Sequence, residues 1–324
     1  MRTLVLSGLA VPVALWAGTN AQTTVDSQST QQPSAIVRPA EVGFNPSVLP
    51  EGARVFRNLS YVTNGHARHK LDLYLPAAGT NLPLVVWIHG GAWLGGSKEL
   101  CPALFLLRDG FAVASINYRL SQHATFPAQL EDCKTAIRWL RAHAREYGID
   151  PDRIGVWGVS AGGHLAALLG TTGGTTEFDK GEYLTVSSRV QAVCDWFGPT
   201  DLTQMSKFPS DIDHDAPDSP ESRLLGGPVQ ENQEKARRAN PITYVSKDAP
   251  PFLIMHGDKD RLVPLNQSEL LADALKRAGV QVTFHVIRGA GHGFGAKEHF
   301  ELVREFFIAQ LGSEPARDRT NAQK

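Results

Sequence analysis

The stretch R-I-G-V-W-G-V-S-A-G-G-H-L-A-A-L-L, Arg153 to Leu169, decides the fold. An apolar run, Ile154 to Trp157, meets a glycine; Val159, Ser160, Ala161 and two further glycines follow, then an apolar helical pattern. Strand, sharp turn and helix are expected here, with Ser160 at the apex. G-V-S-A-G, Gly158 to Gly162, has the G-x-S-x-G spacing of a nucleophile elbow. The flanking glycines have a physical reason, because strand and helix pass too close for side chains at such a turn. The helix N-terminus leaves free amides beneath the serine. Taken alone, the segment also reads as a glycine-rich turn with an incidental serine. The rest of the chain decides, by supplying or failing to supply a base, an acid and oxyanion donors.

Outward from this stretch, strand and helix signals alternate. Arg54 to Thr63 and Lys70 to Leu75 alternate as two strands, with Asn64-Gly65 as a turn between them. Pro83 to His89 holds L-V-V-W-I, a continuous apolar run of the kind buried in a parallel sheet. Phe111 to Tyr118 is the next strand. Gln129 to Tyr147 is expected as one helix stopped by Gly148, and Asp150-Pro151 as a turn. Beyond the serine come strands at Val190 to Phe197, Phe252 to Met255 and Gln281 to Ile287, with helices at Leu265 to Ala278 and Glu298 to Leu311. The reading is an α/β chain with a mostly parallel, doubly wound sheet of about eight strands. Residues 203–246, after the sixth strand, carry no strand signal and read as a small lid-like insertion.

The chain has 324 residues, 42% hydrophobic and 20% charged, ample for one large core. A formal net charge of −1 argues against a nucleic-acid partner. Arg2, the apolar run Leu4 to Trp16 and the small residues of Thr19-Asn20-Ala21 read as a signal peptide over residues 1–21, cleaved before Gln22. Residues 22–50 read as a flexible lead-in, 51–312 as the folded domain and 313–324 as a disordered tail. Secretion or a periplasmic location is expected, with no stable membrane insertion after cleavage. The three cysteines, Cys101, Cys133 and Cys194, are an odd count; Cys133 and Cys194 read as small buried hydrophobes.

In an open α/β sheet, ligands bind beyond the carboxyl ends of the strands. Ser160 needs a base to take its proton. Of eleven histidines, His292 sits in a glycine-flanked loop just past the last strand, whereas His285 lies within that strand and His299 on the following helix. The base needs a carboxylate: Asp260 follows the penultimate strand, with Asp258 as close competitor and Asp195 and Asp201 as weaker ones. The amide of Ala161 and those of the loop His89 to Ala92 are the candidate oxyanion donors. His89 and His164 read as braces. Trp93, Trp196, Phe197 and Phe294 follow strand ends; some are candidates to line an aromatic-accepting pocket, Trp93, Trp196 and Phe294 first, and core is the equal alternative and the commoner fate of such residues. The acidic spacing Asp211, Asp213, Asp215, Asp218, Glu221 resembles the start of a calcium loop. It lacks the mid-loop glycine, and Ser222 stands where a bidentate glutamate belongs. It reads as a solvated acidic loop, so no metal and no cofactor are expected.

Four motifs together, H-G-G-A-W (His89 to Trp93), G-V-S-A-G-G-H (Gly158 to His164), H-G-D-K-D-R-L-V-P (His256 to Pro264) and G-A-G-H-G-F (Gly289 to Phe294), resemble the α/β-hydrolase superfamily. Within it the chain looks like the carboxylesterases of the hormone-sensitive-lipase type, and is closer still to the bacterial feruloyl and acetyl-xylan esterase-like (BD-FAE-like) branch. The resemblance implies Ser160 as nucleophile, His292 as base, Asp260 as acid, and an oxyanion hole from Gly91, Ala92 and Ala161. It implies a serine carboxylesterase acting on a small-molecule or oligosaccharide ester, with acetyl or feruloyl groups favoured. Two departures stand out. Ala92 replaces the usual third glycine, and the usual N-terminal helical cap is missing. A lipase or serine peptidase of the same fold, or a non-catalytic binding module, are the rival readings.

Overall fold

The computed structural model of the chain describes residues 45–312. The expected signal peptide, most of the expected lead-in and the expected tail lie outside these residues. Strands β1 (Arg54–Ser60) and β2 (Lys70–Leu75) pair antiparallel, and β3 (Leu82–Ile88) and β4 (Ala112–Ile116) follow. Helices α1 (Ala128–Ala142) and α2 (Ala144–Tyr147) lead to β5 (Ile149–Val159) and α3 (Ala161–Thr171). Strand β6 (Ala192–Trp196) precedes the short helices α4 (Pro220–Leu225) and α5 (Gln233–Ala239). Then come β7 (Phe252–Gly257), α6 (Asn266–Arg277), β8 (Val282–Ile287) and α7 (Lys297–Leu311). The strands form one sheet in the order β1-β2-β4-β3-β5-β6-β7-β8. Pairs β1/β2 and β2/β4 are antiparallel, and all the others are parallel.

The continuous apolar runs have the cause expected of them: both faces of the sheet are covered. In β3, Leu84, Val86 and Ile88 enter one core with α1, α3 and α6. Val85 and Trp87 enter the other, with α7 and the 3-10 segment Pro102–Asp109. The same two-residue alternation continues in β5 to β7. It aims Val193 of β6 and Ile254 of β7 at the α3 side, and Cys194 and Met255 at the α7 side. Cys133 and Cys194 are fully buried, as their apolar settings suggested.

Two local expectations need correcting. Asp150-Pro151 is not a turn, because β5 starts at Ile149 and pairs it with Leu82. The register shifts between Leu82 and Leu84, and such an irregularity tolerates a proline without a ladder N–H. The helix expected over residues 129–147 is two, broken at His143, whose Nδ1 lies 2.8 Å from the Trp139 carbonyl. Among the described residues no helix is long and apolar enough to cross a membrane.

Candidate active site

Ser160 stands between β5 and α3 with φ 54° and ψ −125°, a backbone state that L residues adopt at a cost. Its neighbours show why the turn needs glycine. A Cβ on Gly158 would run into the carbonyl of Gly162, and one on Gly162 would run into the carbonyls of Ile88 and His89 at the end of β3. The Ser160 amide donates to the Trp196 carbonyl at 2.9 Å, which ties the apex to β6.

The loop after β8 brings His292 to this apex. His292 Nε2 lies 3.0 Å from Ser160 Oγ, and His292 Nδ1 lies 2.7 Å from Asp260 Oδ2. Ser160 therefore donates to Nε2, and Nδ1–H donates to the carboxylate. Asp260 has no exposed side-chain surface, and its Oδ1 accepts the amides of Leu262 and Val263 at 2.8 and 2.9 Å. Burial opposes its charge, but hydrogen bonds from His256, His292 and the Val263 amide outweigh that and hold the carboxyl well below the usual range.

The competing residues are engaged elsewhere. Asp258 accepts the Gly289 amide at 2.6 Å, and Asp201 caps a 3-10 turn through the Thr203 amide. Asp195 is fully buried, accepts the Gly198 amide at 3.0 Å, and is pushed up to about 7 by burial. His299 accepts the Ala296 amide at the start of α7.

The expected oxyanion loop runs past the serine: a Cβ on Gly90 would lie 3.2 Å from that of Ser160. Gly91, Ala92 and Trp93 all have positive φ, at 108°, 56° and 56°. The run lies past the end of β3, beyond the paired residues of the sheet. Among the described residues, the amides of Gly91, Ala92 and Ala161 have no protein acceptor. His89 braces the loop as expected. Its ring stacks on Tyr118 at 4.4 Å, its Nε2 accepts Arg68 at 3.0 Å, and burial pushes it down to about 4. Tyr118 in turn donates to the His89 carbonyl at 2.9 Å. His164 donates from Nε2 to the Ala239 carbonyl at 2.7 Å, joining the first turn of α3 to the end of α5.

The pocket aromatics require correction. Trp93 and Trp196 are 1% and 3% exposed and belong to the two cores, so neither presents a wall to solvent. A position just past a strand end says nothing about which way a side chain turns. Phe294 keeps partial exposure, with its ring 4.6 Å from Trp196 and 5.3 Å from Phe197. Phe197 packs on His292 at 4.6 Å.

The 203–246 segment holds α4, α5 and three 3-10 turns. It is fastened to the loop that bears Asp260: the Asp211 amide donates to the Arg261 carbonyl at 2.7 Å, and Arg261 pairs with the Asp211 carboxylate at 2.8 Å. Glu221, expected on a solvated loop, is instead buried 3.1 Å from His214. Among the described residues no group of three or more His, Cys, Asp or Glu could hold a metal ion. Sequence reasoning missed His256, whose Nε2 lies 3.1 Å from Asp260 Oδ2. The only signal was its place four residues before Asp260 at a strand end.

With this geometry in hand, similarity to known proteins becomes informative. The BD-FAE family profile matches residues 71–275, from β2 into α6. The chain belongs to the BD-FAE family. This BD-FAE protein is 34% identical to the probable carboxylic ester hydrolase LipM of Mycobacterium tuberculosis, over 80% of this chain and 63% of LipM. It thus spans less than two thirds of that relative's length. Among solved structures it resembles a truncated carbohydrate esterase from gut microbiota, at TM-score 0.74 and 37% identity, covering 82% of this chain and 99% of that one. It also resembles an acetyl ester-xyloside bifunctional hydrolase from Caldicellulosiruptor lactoaceticus, at TM-score 0.61 and 31% identity, covering 74% and 85%. The BD-FAE chain therefore has the α/β-hydrolase fold of these esterases.

Proposed function

We propose that this BD-FAE family member is a secreted serine carboxylesterase. The observation that carries the reading is the hydrogen-bonded line from Ser160 Oγ through His292 to Asp260. In it, Ser160 Oγ attacks the ester carbonyl while its proton passes to His292 Nε2. The oxyanion accepts hydrogen bonds from the amides of Gly91, Ala92 and Ala161. Collapse breaks the ester C–O bond, and the alcohol leaves with the proton from Nε2. Water then attacks the acyl-enzyme, gives a proton to Nε2, and the acid departs as Ser160 regains its own. Asp260 holds the imidazole in the tautomer with hydrogen on Nδ1 and stabilises the imidazolium.

Acetyl or feruloyl groups on polysaccharide-derived substrates are the favoured esters. The similarity to a carbohydrate esterase and to an acetyl ester-xyloside hydrolase supports this, as does the expected export signal. Residues 203–246 act as a lid that shapes the pocket. Their bonds to Arg261 and to His164 support that role.

The test is Ser160→Ala on a short-chain aryl ester, followed by a panel of acetyl, feruloyl and longer-chain esters. Hydrolysis is expected to fall by at least about 1,000-fold. Full activity in the variant refutes the assignment, and a preference for long acyl chains refutes the substrate class.

A further inference from the structure

The hydrogen-bonded line does not stop at Asp260. His256, the penultimate residue of β7, has no exposed surface. Its Nε2 faces two acceptors, Asp260 Oδ2 at 3.1 Å and the Val263 carbonyl at 2.9 Å, so this nitrogen carries a hydrogen. Its Nδ1 lies 2.7 Å from the hydroxyl of Ser268, a fully buried residue on α6. In that tautomer the hydroxyl donates to Nδ1. The whole series reads Ser160, His292, Asp260, His256, Ser268: a serine and a histidine on each side of one carboxylate.

The Asp260 carboxylate is saturated by this arrangement. Two backbone amides take Oδ1 and two imidazoles take Oδ2. No solvent reaches either Asp260 or His256 side chain to replace a lost donor. We propose that His256 is a positioning residue for the catalytic acid, oriented by Ser268, which shares Oδ2 with His292 and so limits how strongly Asp260 draws the His292 proton. The inference rests on the triad reading above. Without the second donor, the carboxylate charge concentrates on His292, its imidazolium gains stability, and the neutral base needed for attack forms only at higher pH. Other charged groups border the pair. Asp195 of β6 interacts electrostatically with His256, and Asp258 and Arg261 flank Asp260 in its own loop. Asp211 of the 203–246 segment is held on Arg261.

The experiment uses the rate at which a fluorophosphonate modifies Ser160, followed from pH 4 to 9 in the full chain, with circular dichroism to verify folding. His256→Phe is expected to move the acid limb of the profile up by about half a pH unit or more. His256→Gln, whose amide can return a donor to Oδ2, should bring the limb back towards wild type. Ser268→Ala should move it up by less. Asp195→Asn should leave it in place. A folded His256→Phe with the wild-type limb overturns the proposal, as does a limb that follows Asp195→Asn and not the His256 variant. If His256→Phe does not fold, Ser268→Ala decides: an upward shift supports the proposal and a wild-type limb overturns it. A wild-type chain that resists the reagent, or a Ser160→Ala chain labelled equally fast, refutes the triad reading itself.

Discussion

Asp195 is a buried acid with one carboxylate oxygen, Oδ2, that has no hydrogen-bond partner among the described residues. Burial pushes it up to about 7, against the Gly198 amide and His256, which favour its charge. Between about pH 4 and 7 the unfolded chain has therefore released a proton that the folded chain keeps. Stability from this group falls as pH rises through that window and is level above it. Asp195→Asn is expected to remove the fall, which urea melts of both proteins at pH 4.5 and 7.5 would reveal. His89 and His164, both pushed down to about 4 by burial, act with the opposite sign, since their contribution is lost as pH drops from about 6.5 to 4. The difference between variant and wild type isolates Asp195. At this scale the sequence pointed to Ser160, Asp260 and His292, which the structure places in one hydrogen-bonded line; glycines and fixed spacing at strand ends made them candidates. His256 stayed hidden because its partner depends on how residues 257–263 curl back, which no periodicity encodes. Trp93 and Trp196 took the core alternative and not the pocket one, and the sequence left that choice open because position along the chain does not give direction.

Among the elements, the turn between β5 and α3 has the least freedom. Gly162→Ala is expected to destabilise the fold by about 3 kcal/mol or more, since its Cβ would overlap backbone carbonyls of β3 that cannot move aside. Gly95→Ala is the control. It has one neighbour, the Gly91 carbonyl at 3.9 Å, so thermal melts should show little change. Ala92 holds φ 56° where glycine is at ease. Ala92→Gly is expected to relieve about 1 kcal/mol of backbone strain, seen as a higher melting temperature, while freeing the loop and lowering kcat. The existence and type of the elements were readable from apolar runs and glycine stops. Boundaries were not, where long-range pairing overrode local cues: Leu82 recruits Ile149 into β5 across a proline, and His143 ends α1 by bonding back to Trp139.

At the scale of the molecule, the doubly wound plan was legible because strands covered on both faces must be apolar throughout. The strand order was not, since nothing in β2 announces that β4 is its neighbour. The two cores can be tested separately from the site. Phe307 of α7 is fully buried on the face away from α3 and packs over Gly155. Phe307→Ala is expected to cost about 3–5 kcal/mol of stability and leave kcat/KM of the folded protein unchanged, as melts and active-site titration would show. The placement of β8 carries a different consequence. It is one of the two edge strands, half-covered along its length, with Val286 41% exposed, and the loop it anchors delivers His292. Edges fray before centres. The fraction of molecules that hold His292 at Ser160 is therefore expected to decline in rising denaturant while β3, β5 and β6 are still paired. The proposed esterase activity should vanish at a lower urea concentration than the far-ultraviolet signal, which would make it an early reporter of unravelling.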